Sequence, residues 1–216
     1  MIPAFPVYLF DVDGTLLDSQ HDICGSILSV LAARGRTDIT HETLRPYIGR
    51  HLMDEFLEFG FPREDIDQMI ADYRSIYSGR KHSSTHIYAG VPSVLERLGG
   101  RKSTGTTKTT PVTRAILEQF GLLSFFDHVQ GTDDFPAKPQ PDVVLKAVEA
   151  LGVRPHECLF VGDSAADMEA DIVDGAHETQ RRLEARVEML HHEEVLLGLC
   201  LGESLAAEGF AGPAHS

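Results

Sequence analysis

The sequence predicts an α/β fold, a doubly wound parallel sheet with an all-helical segment inserted into it, and three observations carry that prediction. Two short apolar runs, Val7-Tyr8-Leu9-Phe10 and Cys158-Leu159-Phe160-Val161, are continuous rather than alternating, as expected of strands covered on both faces. Each run stops at a polar, glycine-containing turn, Asp11-Val12-Asp13-Gly14-Thr15 in one case and Gly162-Asp163 in the other. Between these two strands the chain first reads as helical for some seventy residues and then alternates helix with extended segments, the pattern of crossover-connected parallel strands.

The elements follow in order. From Asp18 to about His86 the reading is helical throughout. Ile23, Ile27, Leu28 and Leu31 form one face, and further helices are expected over Thr43 to Ile48 and Leu52 to Phe59. A longer helix opens at Pro62 with Ile66, Met69, Ile70, Tyr73 and Tyr77 inward. Pro92 opens the next helix, with Val94, Leu95 and Leu98. Arg101 to Thr106 is an extended segment with threonine as its β-branched content. Thr110 and Pro111 read as the cap and first turn of a helix ending at Gly121. His128 to Gly131 is a candidate short strand. Pro141 opens a helix with Val144, Leu145, Val148 and Leu151 inward, and Ala165 to Asp174 forms another. The resulting division is core over 1–18, a helical insertion over 19–86, core again over 87–176, and an atypical segment over 177–216. That last segment has helical spacing at Leu183, Val187 and Leu190 and an apolar stretch from Val195 to Leu201.

Composition narrows the classes of function. A formal charge of −14 over 216 residues argues against a broad surface for nucleic acid or anionic lipid, while local positive charge or a metal can still hold a small anion. Cys24, Cys158 and Cys200 are scattered and form no CxxC pair, which fits a reduced, cytoplasmic setting better than a disulfide framework or a zinc site. The apolar opening lacks a basic region and is broken by Pro3 and Pro6, so no signal peptide is expected. No apolar run approaches the roughly 20 residues that span a bilayer. Monomer and homodimer both remain compatible with the sequence.

In open α/β sheets ligands gather outside the C-terminal ends of the strands, and each polar motif here either follows a strand or opens a helix. Asp11 and Asp13 lie two residues apart and in an extended segment can point the same way. Carboxylates so close repel unless a cation intervenes, and Asp163 would add a third. Mg²⁺ suits such a set, because it takes one or two carboxylates and completes its shell with water and phosphate oxygens. Lys138 offers a point charge, Thr106 a hydroxyl, and the main chain after Asp11 an anion nest. Alignment and charge neutralisation are what phosphoryl transfer requires, and a carboxylate nucleophile would divide one displacement into two.

In order along the chain, the motifs read Asp11-Val-Asp13-Gly14-Thr15-Leu-Leu-Asp18-Ser19, Thr106-Thr107-Lys108, Lys138-Pro139 and Gly162-Asp163-Ser164-Ala-Ala-Asp167. With this order the chain resembles the haloacid dehalogenase superfamily, and within it the phosphoglycolate phosphatase-like group with a helical cap after the first motif. The resemblance covers roughly residues 7 to 176. It implies a Rossmann-like core with the helical insertion as cap, and a phosphatase acting on a small phosphorylated metabolite. By the resemblance Asp11 is the nucleophile and Asp13 the general acid/base, while Thr106 and Lys138 hold the phosphoryl group. Gly14 and Thr107 line its binding loop, and Arg50, after Gly49 in the cap, meets the substrate. Asp11, the Asp13 main-chain carbonyl and Asp163 hold Mg²⁺, and Asp167 orients the metal's waters or Lys138. Thr106 rather than Thr104 is placed by counting back from Phe120-Gly121-Leu122.

Asp13 argues against a dehalogenase, because a halide leaves without protonation. Ile23 stands where a mutase of the β-phosphoglucomutase kind carries a histidine. A receiver domain places its phosphoacceptor after a middle strand and has no helical insertion. A pyrophosphatase and a non-catalytic binder of phosphorylated ligands are the remaining alternatives. His82, His86, His191 and His192 read as surface residues, and Asp133 and Asp134 as a turn or helix cap.

Overall fold

The computed structural model describes residues 5–170. The expected features of residues 177–216, and the end of the helix expected to run from Ala165 to Asp174, lie outside them. Strand β1 spans Val7–Phe10 and is followed by a two-residue strand, β2, at Leu17–Asp18. Helices α1 (Gln20–Ala32), α2 (His41–Leu44), α3 (Leu52–Glu58) and α4 (Arg63–Arg80) come next. The chain returns through β3 (His86–Ile87) to α5 (Val91–Arg97), β4 (Arg101–Thr104) and α6 (Thr110–Gln119). It continues through α7 (Asp142–Leu151) and β5 (Cys158–Val161) to α8 (Ala165–Ala170).

The three long strands form a parallel sheet in the order β4-β1-β5, with Val7 opposite both Arg101 and Cys158. β1 is fully buried, and its residues divide by parity between two cores. Tyr8 and Phe10 join a cluster with Val94, Leu95, Ile116 and Leu117, whereas Val7 and Leu9 join one with Val143, Ala147 and Val148. Helices therefore cover both faces, which is why the apolar runs do not alternate. The chain passes from β1 to β4 on one side and then crosses to β5 on the other, so the strand order switches at β1, where an open α/β sheet leaves a crevice.

Between β1 and α5 the helices form the inserted cap. It packs α4 along α1, with α2 against α1 and α3 against α4. Ile66, Met69, Tyr73 and Tyr77 point inward, one helical face as the spacing predicts. The insertion is not helical throughout. Leu17 pairs with Ile87 and Asp18 with His86 in an antiparallel ribbon where the chain leaves and re-enters the core. Two residues per strand give no periodicity to read. The buried Asp22 secures the return segment, accepting from the Ser84 N–H at 2.9 Å and the Thr85 hydroxyl at 2.8 Å.

Three further expectations are corrected. His128 to Gly131 forms no strand, only a single parallel bridge between Gly131 and Thr106. The N-cap of α6 is Thr109, while the Thr110 hydroxyl is drawn to Asp133 at 2.7 Å and receives the Gly131 N–H at 2.9 Å. Leu145 faces solvent, its place on the inner face of α7 being taken by Val143 and Ala147.

Besides Asp22, the cap holds a buried acid that no motif predicts. Glu55 on α3 is 2% exposed, and its Oε2 has no hydrogen-bond partner. Burial pushes its carboxyl up from 4.5 to about 8, with Arg50 opposing and Glu58 and Asp54 adding. A folded-state value above the unfolded one means that folding takes up a proton between these limits, so stability falls as pH rises from about 4.5 to about 8. Glu55→Gln is expected to remove that loss. The variant should gain on the order of a few kcal/mol at pH 8, where the unfolded parent is stabilised by ionising a carboxyl that the folded parent keeps protonated, and change little at pH 4. Urea unfolding at the two pH values checks this.

Candidate active site

The C-terminal ends of the strands bring residues more than a hundred positions apart to one rim. The Asp11 N–H donates to the Val161 carbonyl at 2.9 Å and the Gly105 N–H to Phe10 at 2.8 Å, so the sheet pairing carries on into the loops. Directly above, Lys138 Nζ donates to Asp11 Oδ1 at 2.9 Å and also to Asp167 Oδ1. The three side chains are all but sealed, at 1%, 4% and 0% exposure. Asp167 is fixed in turn through Oδ2, which accepts from the Ser164 N–H at 2.9 Å and its hydroxyl at 2.6 Å. This close approach needs Gly162, where a Cβ would come within 2.5 Å of the Asp167 carboxyl carbon. The Lys138–Pro139 peptide is cis.

The turn after β1 is held against the turn after β5. Thr15 donates its hydroxyl to Asp163 Oδ1 at 3.1 Å. Gly14 has φ +87°, a left-handed conformation that suits glycine, and a Cβ there would lie 2.3 Å from Asp163 Oδ2. Oxygens of Asp11, Asp163 and Asp167 all lie within 4.8 Å of one another. Burial pushes Asp11 up to about 6, with Lys138 opposing and Asp167 and Asp13 adding. Loss of hydration, then the charges of Asp11 and Asp167, push Asp163 up to about 7 although its side chain remains open to solvent. Three hard oxygen donors crowded with too little positive charge suit a small divalent cation. Lys138 keeps its proton: burial lowers its affinity, but Asp11 and Asp167 outweigh that and raise it.

Asp13 is buried as well, but its carboxylate is bound elsewhere. Oδ1 accepts from the Ser19 hydroxyl at 2.5 Å, and Oδ2 pairs with Lys108 Nζ at 2.6 Å. Ser19 precedes α1 without capping it, because its hydroxyl is spent on Asp13. Thr106 lies just past the end of β4 and is 1% exposed, with Thr107 half-buried after it. Thr104 is occupied differently: its hydroxyl donates to the Gln130 carbonyl and accepts the Gln130 N–H, both at 2.9 Å. That pairing fastens β4 to the neighbouring segment and leaves Thr106 as the threonine at the rim.

Arg50 does not reach the buried cluster. Its guanidinium is on the cap surface, 2.8 Å from Glu58 and 4.7 Å from the centre of the Tyr47 ring. The adjoining Gly49, however, leans on the core, and a Cβ there would lie 3.6 Å from that of Ser164. The cap loop thus meets the rim beside Asp163. Among the histidines, His82 bonds Gln119 at 2.9 Å and His86 lies 3.6 Å from Asp18, while His191 and His192 are outside the described residues. Asp133 accepts from the Thr110 N–H at 2.9 Å at the start of α6, a capping contact. Lys108 closes the Thr106-Thr107-Lys108 motif, and nothing in the sequence assigns it a role. Its one signal is its place two positions beyond Thr106, on the loop that leaves the same strand end.

Over residues 8–175 the sequence matches the haloacid dehalogenase-like hydrolase family. The chain belongs to that family. It is 34% identical to a phosphoglycolate phosphatase of Aquifex aeolicus, over 76% of this chain and 78% of the relative. It is 36% identical to a phosphoglycolate phosphatase of Xylella fastidiosa (strain Temecula1), over 77% and 76%. The crystal structure of a predicted phosphatase from Clostridium acetobutylicum superposes with a TM-score of 0.71 at 27% identity, covering 77% of this chain and 79% of the other. A haloacid dehalogenase-like hydrolase from Streptococcus pneumoniae shares the fold, with a TM-score of 0.70 at 24% identity over 77% and 80%. The chain is a phosphatase-type enzyme of the phosphoglycolate phosphatase-like group. No described helix is long and apolar enough to cross a membrane.

Proposed function

We propose that the protein hydrolyses a small phosphorylated metabolite, a phosphoglycolate-like monoester, through an aspartyl phosphate on Asp11. The observation that carries this reading is the sealed pairing of Asp11 with Lys138 beside Asp163, at the point where the strand order switches. Lys138 holds one Asp11 oxygen and so aims the other for attack on phosphorus, while Thr106 and the main-chain N–H groups after Asp11 hold the phosphoryl oxygens. Asp13 gives its proton to the departing alkoxide. It then takes a proton from the water that attacks the aspartyl phosphate, releasing inorganic phosphate and restoring Asp11. Asp11, Asp163 and the Asp13 main-chain carbonyl would hold Mg²⁺, with Asp167 as the outer carboxylate that steadies Lys138. The cation would supply charge neutralisation at the transferring phosphoryl group. Residues 19–86 act as the cap, and scattered cysteines without a CxxC pair favour a cytoplasmic setting.

Phosphate release across a panel of phosphorylated metabolites tests the reading, with phosphoglycolate and simple sugar phosphates at its centre. No turnover of any phosphomonoester would remove it. Chelation with EDTA is expected to abolish turnover, Mg²⁺ to restore it and Ca²⁺ to inhibit, because calcium's looser coordination disturbs in-line geometry. Unchanged turnover after exhaustive chelation would reject the metal. Arg50 is held only by an exposed ion pair, which a substrate carboxylate can displace. Arg50→Ala is expected to raise KM for carboxylate-bearing substrates by about tenfold, the value of one charge-assisted contact, and to leave a minimal phosphate donor within about twofold. Equal losses on both would assign Arg50 to folding.

A further inference from the structure

Two side chains outside the roles proposed above meet at Asp13, one from the core and one from the cap. Lys108 leaves the loop after β4, and its ammonium lies 2.6 Å from Asp13 Oδ2 with its side chain 11% exposed. On its other side it sits over the ring of Tyr77, 4.8 Å from the centroid. Tyr77 belongs to α4 of the cap, is 6% exposed, and stacks on Tyr73 at 5.6 Å with the rings 13° apart. The Lys108 main chain is anchored as well, its carbonyl accepting the Thr132 N–H at 2.8 Å. A half-buried lysine held between a carboxylate and an aromatic face has lost most of its rotamer freedom and has no other ion-pair partner among the described residues.

Resting on the phosphatase reading, we infer that Lys108 is a positioning residue for the proton-transfer step, aiming Asp13 and stabilising the charge it gains, and that Tyr77 of the cap positions Lys108. When Asp13 passes its proton to the leaving oxygen, the O–H bond of the acid breaks and a full negative charge stays on the carboxylate. An ammonium already 2.6 Å away stabilises that charge as it develops, without reorganisation. The Ser19 hydroxyl on the other oxygen fixes the plane of the carboxylate. The attack by Asp11 uses Lys138 instead. The two lysines thus serve the two halves of one displacement, and the leaving-group half is tied to the cap through a ring that touches its lysine. Tyr77 contributes its ring face, so phenylalanine can replace it and leucine cannot.

The test is the dependence of kcat/KM on leaving-group acidity, measured on the full chain with substituted phenyl phosphates of similar shape. With Lys108→Met the esters of weakly acidic phenols, the poor leaving groups, should lose about tenfold or more, a share of the roughly 10²–10⁴ that general acid catalysis contributes, while p-nitrophenyl phosphate stays within about threefold. The leaving-group slope therefore steepens, which a merely structural defect would not cause. Lys108→Arg and Tyr77→Phe should keep a slope near that of the unaltered protein, and Tyr77→Leu should steepen it. Melting curves report whether each variant folds. If Lys108→Met does not, a slope unchanged by Tyr77→Leu overturns the inference. Equal losses across the series in Lys108→Met also overturn it, as does an unaltered slope in either Lys108→Met or Tyr77→Leu. Asp11→Asn, run beside them, reads the parent reaction separately: turnover surviving in that variant removes the phosphatase mechanism, whereas its loss together with a flat Lys108→Met series removes only the positioning role.

Discussion

Asp11→Asn is expected to fold and to release no phosphate, with kcat lowered by roughly 10⁴-fold or more, as for loss of a nucleophile in other covalent mechanisms. The amide keeps the size of the side chain, so the two cores either side of β1 are not disturbed. It loses the charge attraction to Lys138, but Lys138 keeps Asp167 as a partner. The loss is further offset because burial and the charges of Asp167 and Asp13 push the Asp11 carboxyl up to about 6, so its ionised form is already held at a cost when no cation is bound. The melting temperature should therefore shift by only a few degrees, on the scale of about 1 kcal/mol. Acid-quenched protein exposed to labelled substrate should carry an acid-stable, hydroxylamine-labile acyl phosphate in the unaltered chain and none in the variant. Full turnover by Asp11→Asn would place the nucleophile elsewhere.

Most residues of the candidate site were legible in the sequence because they lie where strands end. A strand buried on both faces must be continuously apolar, and the first polar residue after it must emerge at the rim; Asp11 and Asp163 are those residues. The register that sets them side by side, Phe10 opposite Val161, follows from parallel pairing of two equal runs. Less legible were features made by single long-range contacts. Thr104 and Thr106 are indistinguishable by composition; the count back from Phe120-Gly121-Leu122 separates them by resemblance alone, and the physical reason is the binding of Thr104 to Gln130. The ribbon of Leu17–Asp18 with His86–Ile87 is too short to have a period, and its pairing depends on the cap folding back on itself. Glu55 carries no sequence signal, since three acidic residues fall within Asp54 to Glu58 and spacing alone does not tell which turns inward. Lys108 carries no signal of its enclosure either. It is largely enclosed because a core carboxylate and a cap ring close on it from opposite sides, and neither partner is near it in sequence.

Lys138→Met should be the most damaging single substitution for stability. In the native protein Lys138 is enclosed with Asp11 and Asp167, and the charge of each carboxylate is supported by the same ammonium. Methionine matches its length and packs near Phe160, over whose ring the ammonium now sits at 5.6 Å, so little cavity is expected. What remains is two buried carboxylates without their cation, and removing one partner of such a buried set costs about 3–5 kcal/mol. The deficit should depend on pH with a definite sign. The Asp11 carboxyl is already pushed up to about 6 by burial against the opposing Lys138 charge, so without Lys138 it rises further, folding takes up a proton over a wider range, and the variant loses more stability as pH rises. Denaturant unfolding at pH 5 and pH 8 should therefore show a larger gap from the unaltered protein at pH 8. Adding Asp167→Asn to Lys138→Met should recover part of the loss by removing one of the orphaned charges, a coupling of about 0.5–3 kcal/mol in a double-mutant cycle. Activity should not recover with it. Asp11 would be neither aimed nor charge-balanced, and phosphoenzyme formation should stay down by about 10²–10³-fold or more, the effect of losing one preorganised electrostatic donor. A Lys138→Met protein as stable as the parent at pH 8 would mean that solvent already reaches this cluster, and the sealed pairing of Asp11 with Lys138 would no longer support the proposed chemistry.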